Sequence, residues 1–508
     1  MRFAESIVFS GRLSTLYQLA KEKKIDTALQ GSHTRPCKFW TAMKILSGME
    51  RTIVIAHGPS GCAYGVKQAY KLINCRNSGT PYEAVLTTSV NEKTIIYGGE
   101  KELREALLEV DRKYRPDVIV VATSCATGII GDNVDAVVEG ARAQIGAKLL
   151  PIHCEGFAGE YRSGFDLVFG ELAKLMDPPT EESRKALSRS VNIIGSKMGP
   201  ERTEVDTDVK ELIRLVKGMG AQINAVIAGG CSLDELRRAP SAAVNCGLCY
   251  DIGYALGREM ERIHGTPMNS TILPYGIEAT KRWLATAARH LGLEKEADDL
   301  CGQEYEAIRA GHEVAKQRLI GKIGVIDGKD AVKSLSIAHM LERDFGMRAI
   351  ICNFHPWSAE ARQTSIDYLL EAGIDPEIII TKGALAFGRY ESMRQSEEEL
   401  LDYLGGLTKD SAVYFGSSLS FPSIPLVDLN AILNRPRFGY KGALKVAQCI
   451  CKSFDCASRG RSRLTKEMVF PQDPNASIGA GNLGMKASAS MPDCTFYGKG
   501  GMRRCLND

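Results

Sequence analysis

The stretch that decides the fold reads IVIAHGPSGCAYG, residues 53–65. An apolar run breaks at His57-Gly58-Pro59, crosses Gly61 and presents Cys62. An uninterrupted apolar run of strand length fits a strand buried on both faces, as in parallel sheets covered by helices. The plan recurs outward from there. DVIVVATSC (117–125) and AKLLPIHCEG (147–156) follow it in the first third, with the helix-patterned EKELREALLEVDRKY (100–114) nearby. VNIIGS (191–196), INAVIAGG (223–230) and SAAVNCG (241–247) repeat it in the second. KIGVIDG (322–328), RAIICNF (348–354), EIIITKG (377–383), SAVYFGSS (411–418) and IPLVDL (424–429) make a third set. Strands alternating with helical segments predict an α/β protein of three Rossmann-like, doubly wound units with parallel sheets. The expected boundaries are 1–190, 191–317 and 318–456, followed by a Gly-, Ser- and Ala-rich extension, 457–508, that reads as an extended tail.

The bulk properties agree. A chain of 508 residues exceeds one core and suits three domains of about 150 residues. A net charge of +3 without long basic runs points to no nucleic-acid partner and no polybasic membrane contact. No stretch approaches the ~20 apolar residues a membrane span needs. The segment MRFAESIVFSGRLSTLYQLAKEKK lacks a signal-peptide core, so a cytoplasmic location is expected. No strand carries GxGxxG with a following acidic residue, and GPSGCAYGVK lacks the Gly-Lys-Ser/Thr ending of a P-loop.

Fifteen cysteines need an explanation. A reducing compartment argues against a disulfide framework. Buried cysteines behave as small hydrophobes, and thiolates also suit iron–sulfur clusters and zinc. CGLC (246–249) has no second CxxC at zinc-ribbon spacing. Ligands of open α/β sheets gather at the carboxyl ends of strands. Cys62, Cys125 and Cys154 sit at such ends, Cys231 follows AVIAGG, and Cys37 precedes the first of these strands in SHTRPCKFW. From the residues alone, Cys62 fits a redox thiol, a cluster ligand and a buried structural cysteine.

HGPSGC (57–62), TTSVNEKTIIYGGEKEL (87–103), TSCATGIIGD (123–132) and HCEGF (153–157) together resemble the component 1 proteins of nitrogenase, in their α-type chains. The similarity runs in one order over residues 30–445. It implies that Cys37, Cys62 and Cys125 are the α-chain ligands of a P-cluster-type 8Fe-7S cluster at a subunit interface, whose other thiolates come from a β-type chain in a heterotetramer. Cys154 has no ligand counterpart in the family and is expected to pack. In NCGLCYDIGYALGREMERIHGTPM (245–268), Cys249 matches the cysteine that anchors the family's cofactor, with Cys246 as the runner-up. An ATP-hydrolysing iron protein is the implied electron donor.

The resemblance stops short of dinitrogen reduction. No histidine follows His355, so the imidazole that holds the far end of the molybdenum cofactor has no counterpart, and Leu429 or Asn430 stands at that place. DGKDAVKS (327–334) replaces the family's Gly-Gly-Leu-Arg loop. Tyr70, Arg162 and Asp166 stand where the family has its arginine, glutamine and histidine, and are the candidate catalytic residues. The leading expectation is therefore a nitrogenase-like reductase with an all-iron 8Fe-9S-C cofactor, most similar to methylthio-alkane reductase and cleaving C–S bonds of a small organosulfur substrate. The alternative is a scaffold subunit for nitrogenase cofactor assembly. CICKSFDC (449–456) reads as a buried helix edge.

Overall fold

The computed structural model describes residues 7–22, 37–46, 48–64, 85–159, 161–195, 205–248, 250–269, 271–328, 331–352, 359–381, 403–405, 407–416, 424–427 and 437–458. Its strands in chain order are β1 (Ile7–Arg12), β2 (Thr52–His57), β3 (Val85–Thr87), β4 (Val118–Thr123), β5 (Lys148–Ile152), β6 (Ser190–Ile194) and β7 (Gln222–Val226). They continue with β8 (Val244–Gly247), β9 (Met268–Asn269), β10 (Ile323–Asp327), β11 (Arg348–Cys352), β12 (Glu377–Thr381), β13 (Ala412–Phe415) and β14 (Leu426–Val427). They form three sheets, ordered β3-β2-β4-β5, β7-β6-β8-β9 and β1-β12-β11-β10-β13-β14. Every pairing is parallel except that of β1 with β12. The α/β architecture with three parallel sheets read from the strand runs is the one observed.

Each sheet is wound outward from its first parallel strand, so the winding reverses between β2 and β4, between β6 and β8, and between β10 and β13. Such reversals open a crevice at the carboxyl ends of the strands.

The apolar runs are continuous because both faces are covered. Val54 and Ala56 of β2, with Val120 and Ala122 of β4, join the main core. Ile53, Ile55, Ile119 and Val121 point the other way, into a second cluster with Leu103, Leu107 and Val138. This is the two-residue alternation of a strand. The main core is one cluster that also takes Val191 and Ile193 from the second sheet and Ile351 and Phe415 from the third. All three sheets therefore contribute one face to a common main core.

Two features were not expected. β1, within residues 1–190, pairs with the third sheet, and Ser14 fastens it there by donating from its N–H and hydroxyl to Asp375 at 2.8 and 2.6 Å. The second sheet carries a ladder of buried asparagines. Asn224 Nδ2 donates to Asn192 Oδ1 and Asn192 Nδ2 to Asn245 Oδ1, both at 2.8 Å, while Arg238 Nε reaches Asn224 Oδ1 at 2.9 Å. Removing the middle member strands amides on both neighbours, so Asn192→Ala is expected to cost about 2–4 kcal/mol. A thermal unfolding midpoint equal to that of the unaltered chain would show the ladder to be dispensable.

Candidate metal centre

The first sheet brings three chain ends to one edge. β2 and β4 pair in register from Thr52↔Val118 to His57↔Thr123, and β4 pairs with β5 through Ala122↔Ile152. The segments that leave these strands therefore start side by side at the winding reversal. Cys62 lies in the helical residues 60–64 beyond β2, and Cys125 opens the helix Cys125–Ile130 beyond β4. Gly156 lies beyond β5, in a 3₁₀ turn, Gly156–Ala158. Cys37 arrives from elsewhere in the chain, immediately before the helix Lys38–Leu46.

His57 organises the turn. Its ring is fully buried, with Nε2 3.0 Å from Asp132 Oδ2 and Nδ1 3.0 Å from Thr88 Oγ1. Thr88 Oγ1 also accepts from Gly58 N–H at 3.2 Å. A neutral ring that donates through Nε2 and accepts the Thr88 hydroxyl proton through Nδ1 satisfies the whole set. Burial holds the imidazole below its ordinary value, opposed by Asp132. Asp132 accepts from Gly99 N–H at 3.0 Å. The His57 carbonyl takes Ser124 N–H at 3.1 Å and the Thr127 hydroxyl at 2.9 Å. One residue thus ties the Cys62 turn to the Cys125 helix and to the segments on either side of the helix Glu92–Tyr97. Gly58 is required here, because a Cβ would overlap the Ser124 side chain.

Three thiols meet at this edge. Gly156 N–H donates to Cys125 Sγ at 3.1 Å. A Cβ on Gly156 would lie 3.1 Å from Cys125 Sγ and 3.2 Å from Cys37 Sγ, so only glycine lets the backbone come this close to both sulfurs. Cys62 is close enough for its thiol to be pushed up by burial first, then by Cys125 and Cys37. Cys37 and Cys62 are exposed and Cys125 is half-buried. Among the described residues, no three His, Cys, Asp or Glu side chains are spaced to hold a single metal ion. Soft sulfur donors are the ligand type of iron–sulfur clusters.

The other cysteines differ. Cys154 is buried, donates from Sγ to the Thr123 carbonyl at 3.4 Å and accepts no cluster-side contact; burial pushes its thiol well up. Cys246 is buried in β8 with Asn269 Nδ2 3.8 Å from its sulfur, and burial pushes it up to about 12. Cys231 is likewise buried and pushed up to about 12. Cys449 and Cys451 are buried along the helix Gly439–Ser458, as the sequence pattern predicts.

The segments that carry the thiols also expose large apolar side chains. Tyr64, Ile95, Ile96, Tyr97, Ile129 and Phe157 are six of the eleven exposed large apolar side chains among the described residues. All six lie on the cysteine-bearing segments or on the helix Glu92–Tyr97, which packs on Cys125–Ile130. Tyr97 is 81% and Ile129 74% exposed, values that a free surface seldom retains in such a group. This patch and the His57–Asp132 pair escaped the sequence reading. Asp132 closes TSCATGIIGD and the IIY of EKTIIY is apolar, but neither signal says which way a side chain faces.

The remaining predicted residues fare differently. Cys249 and Tyr70 lie outside the described residues, as do the compared positions His355, Leu429 and Asn430 and all of the tail beyond 458. β8 ends at Gly247, beside the winding reversal of the second sheet, two residues before Cys249. Arg162 falls in the helix Tyr161–Ala173, and Asp166 is exposed on the same helix. No helix among the described residues is long and apolar enough to cross a membrane.

The sequence model of the nitrogenase component 1 type oxidoreductases matches residues 37–455, from the first of these cysteines to the last turn of the final described helix. The chain belongs to the nitrogenase component 1 family. Its members typically bind iron–sulfur clusters. This component 1 chain is 28% identical to the nitrogenase iron-molybdenum cofactor biosynthesis protein NifE of Clostridium pasteurianum over 434 residues, 84% of this chain and 89% of that protein. It is 27% identical to the protein of the same name from Nostoc sp., over 84% of this chain and 85% of that one. The nitrogenase molybdenum-iron protein alpha chain of Clostridium pasteurianum is 24% identical over 74% of this chain and 72% of its own length. The solved structure of nitrogenase Cp1 at pH 6.5 has the same fold, with a TM-score of 0.64 at 18% identity over 88% of this chain and 92% of that one.

The contact at Gly156 yields a direct test on this component 1 chain. Gly156→Ala inserts a methyl group between Cys37 and Cys125, and is expected to lower iron bound per anaerobically purified chain at least severalfold while leaving circular dichroism unchanged. Undiminished iron in the alanine variant would mean that the two sulfurs do not share a ligand.

Proposed function

We propose that this chain is the α-type subunit of a nitrogenase-like complex, that Cys37, Cys62 and Cys125 hold one side of an interfacial 8Fe-7S cluster, and that the complex is a scaffold for cofactor assembly at Cys249. The observation that carries the cluster assignment is the meeting of three thiols at one solvent-facing strand edge. Half of a ligand set on an open edge needs a second chain to complete it. Covering Tyr97, Ile129 and Phe157 with a β-type partner in a heterotetramer would remove apolar surface from water in the same step. When bound, such a cluster supplies one-electron redox chemistry.

The chain's own groups have separable tasks. Cys37, Cys62 and Cys125 offer thiolates. Gly156 N–H donates to Cys125 Sγ, a type of hydrogen bond that tunes cluster potential. His57 locks the segments that carry Cys62 and Cys125 through its ring contacts with Thr88 and Asp132 and its carbonyl contacts with Ser124 and Thr127. Cys154 stays protonated and packs.

Two observations favour the scaffold over a reductase. Relatives that align over 84% of this chain are named as cofactor biosynthesis proteins. No histidine follows His355, so residues 356–508 offer no imidazole to retain a cofactor such as an all-iron 8Fe-9S-C cluster. An anchor of one cysteine suits a cluster that is handed on. Reduction of methylthio-alkanes to a thiol and a hydrocarbon, with electrons from an ATP-hydrolysing iron protein, is the second reading. It is favoured by Tyr70, Arg162 and Asp166, which replace the polar groups of a dinitrogen pocket.

The test is co-expression with the β-type partner, anaerobic purification, and iron, sulfide and EPR analysis. Cys62→Ala is expected to lose the interfacial signal, and Cys249→Ala to keep it while losing a second iron pool. Full iron in Cys62→Ala would remove the ligand assignment. The unaltered complex is expected to activate a cofactor-free nitrogenase component 1 and to release no hydrocarbon from methylthio-alkanes given iron protein, ATP and reductant. The opposite pair of results would establish the reductase.

A further inference from the structure

We infer that Cys37 and Cys125 close into a disulfide when the metal-free chain meets an oxidised low-molecular-weight disulfide, and that this bridge excludes metal from the edge. The inference rests on the cluster reading only in its second half. The bridge itself follows from geometry.

Both sulfurs border one point. The position a Cβ would take on Gly156 is 3.1 Å from Cys125 Sγ, 3.2 Å from Cys37 Sγ and 3.1 Å from Cys37 Cβ. Residue 156, being glycine, has no side chain to stand between them there. Gly156 N–H fixes Cys125 Sγ at 3.1 Å. The three heavy atoms nearest this point belong to Cys37 and Cys125, and none of them to Cys62. Cys154, the fourth nearby thiol, is turned away, with its sulfur on the Thr123 carbonyl. Among the three edge cysteines, the geometry therefore selects Cys37 with Cys125.

Access sets the order of events. Cys37 is exposed and Cys125 half-buried, so of this pair Cys37 is the one an incoming disulfide reaches first. With oxidised glutathione, the Cys37 thiolate attacks one glutathione sulfur, the S–S bond breaks, and one glutathione thiolate leaves. The Cys125 thiolate then attacks Cys37 Sγ in the mixed disulfide and releases the second glutathione thiolate. Two protein thiols are oxidised by two electrons, one glutathione disulfide is reduced to two glutathiones, and two protons pass to solvent or to the leaving thiolates. Two sulfurs bonded to each other cannot ligate iron as thiolates. Oxidation and metal loading at this edge are therefore mutually exclusive, which makes the edge a redox gate on assembly.

The experiment uses the full-length chain expressed without its partner and stripped of iron. It is treated with oxidised glutathione, blocked with N-ethylmaleimide, digested and read by mass spectrometry. A Cys37–Cys125 peptide pair is expected as the dominant crosslink, retained in Cys62→Ser and lost in Cys37→Ser and Cys125→Ser. A dominant bridge through Cys62, or full alkylation of all three thiols after oxidation, would overturn the inference. The oxidised chain is then offered ferrous iron and sulfide, with and without prior dithiothreitol. Iron uptake is expected to fall at least tenfold without the reductant, and equal uptake would overturn the gate. A reduced chain that forms the bridge but never takes up iron would instead count against the cluster reading, leaving the disulfide in place.

Discussion

The pairing of β2 with β4 is the constraint on which the rest depends. Six residues of each strand run in register, from Thr52↔Val118 to His57↔Thr123, and both strands are buried on both faces. A slip of one residue would send Val54 and Val120 out of the main core and reverse every side chain. It would also move the turn after His57 away from Ser124. Because the winding reverses between these two strands, no crossover helix covers their carboxyl ends. The edge where Cys62, Cys125 and Gly156 meet is thus open for a topological reason, and apolar burial holds its geometry.

Polar groups in the interior then make that geometry unique. The His57 ring joins Thr88 and Asp132, while its carbonyl joins Ser124 and Thr127. Each of these groups is buried or nearly so, and leaving any one unpaired would cost more than a typical hydrogen bond returns. The asparagine ladder plays the same part in the second sheet. Between distant segments, Arg437 Nε donates to buried Asp208 at 2.9 Å and its N–H at 2.6 Å, fastening the start of the last helix to the helix Val205–Gly218. Apolar packing sets the register, and these directional contacts fix the side chains within it to hydrogen-bonding distance.

The site combines opposed demands. Thiolates that are to bind iron must be reachable, yet a cluster left in solvent is labile. Exposed cysteines set among exposed Tyr97, Ile129 and Phe157 meet both demands once a second chain closes over them. The same openness leaves Cys37 and Cys125 free to react with each other before metal arrives. The proposed cluster and the proposed disulfide would draw on the same thiols, so the second chain that completes the one also shields against the other.

The α/β class, the three sheets and most strands were legible in the sequence, because a strand buried on both faces needs an unbroken apolar run that local composition displays. The candidate thiols were legible too, since strand-end cysteines stand out and the motif order around Cys62, Cys125 and Cys154 is specific. β1 was not, because an antiparallel edge strand with alternating exposure carries a weak pattern in IVFSGR. The asparagine ladder was hidden because each member is a single polar residue in an apolar run, and only the register makes them neighbours. Sequence order could not put Cys37 beside Gly156, nor turn the sulfur of Cys154 away from the same edge while Cys125 faces it. Those assignments depend on where backbones approach within a few ångströms, and tertiary packing alone sets that distance.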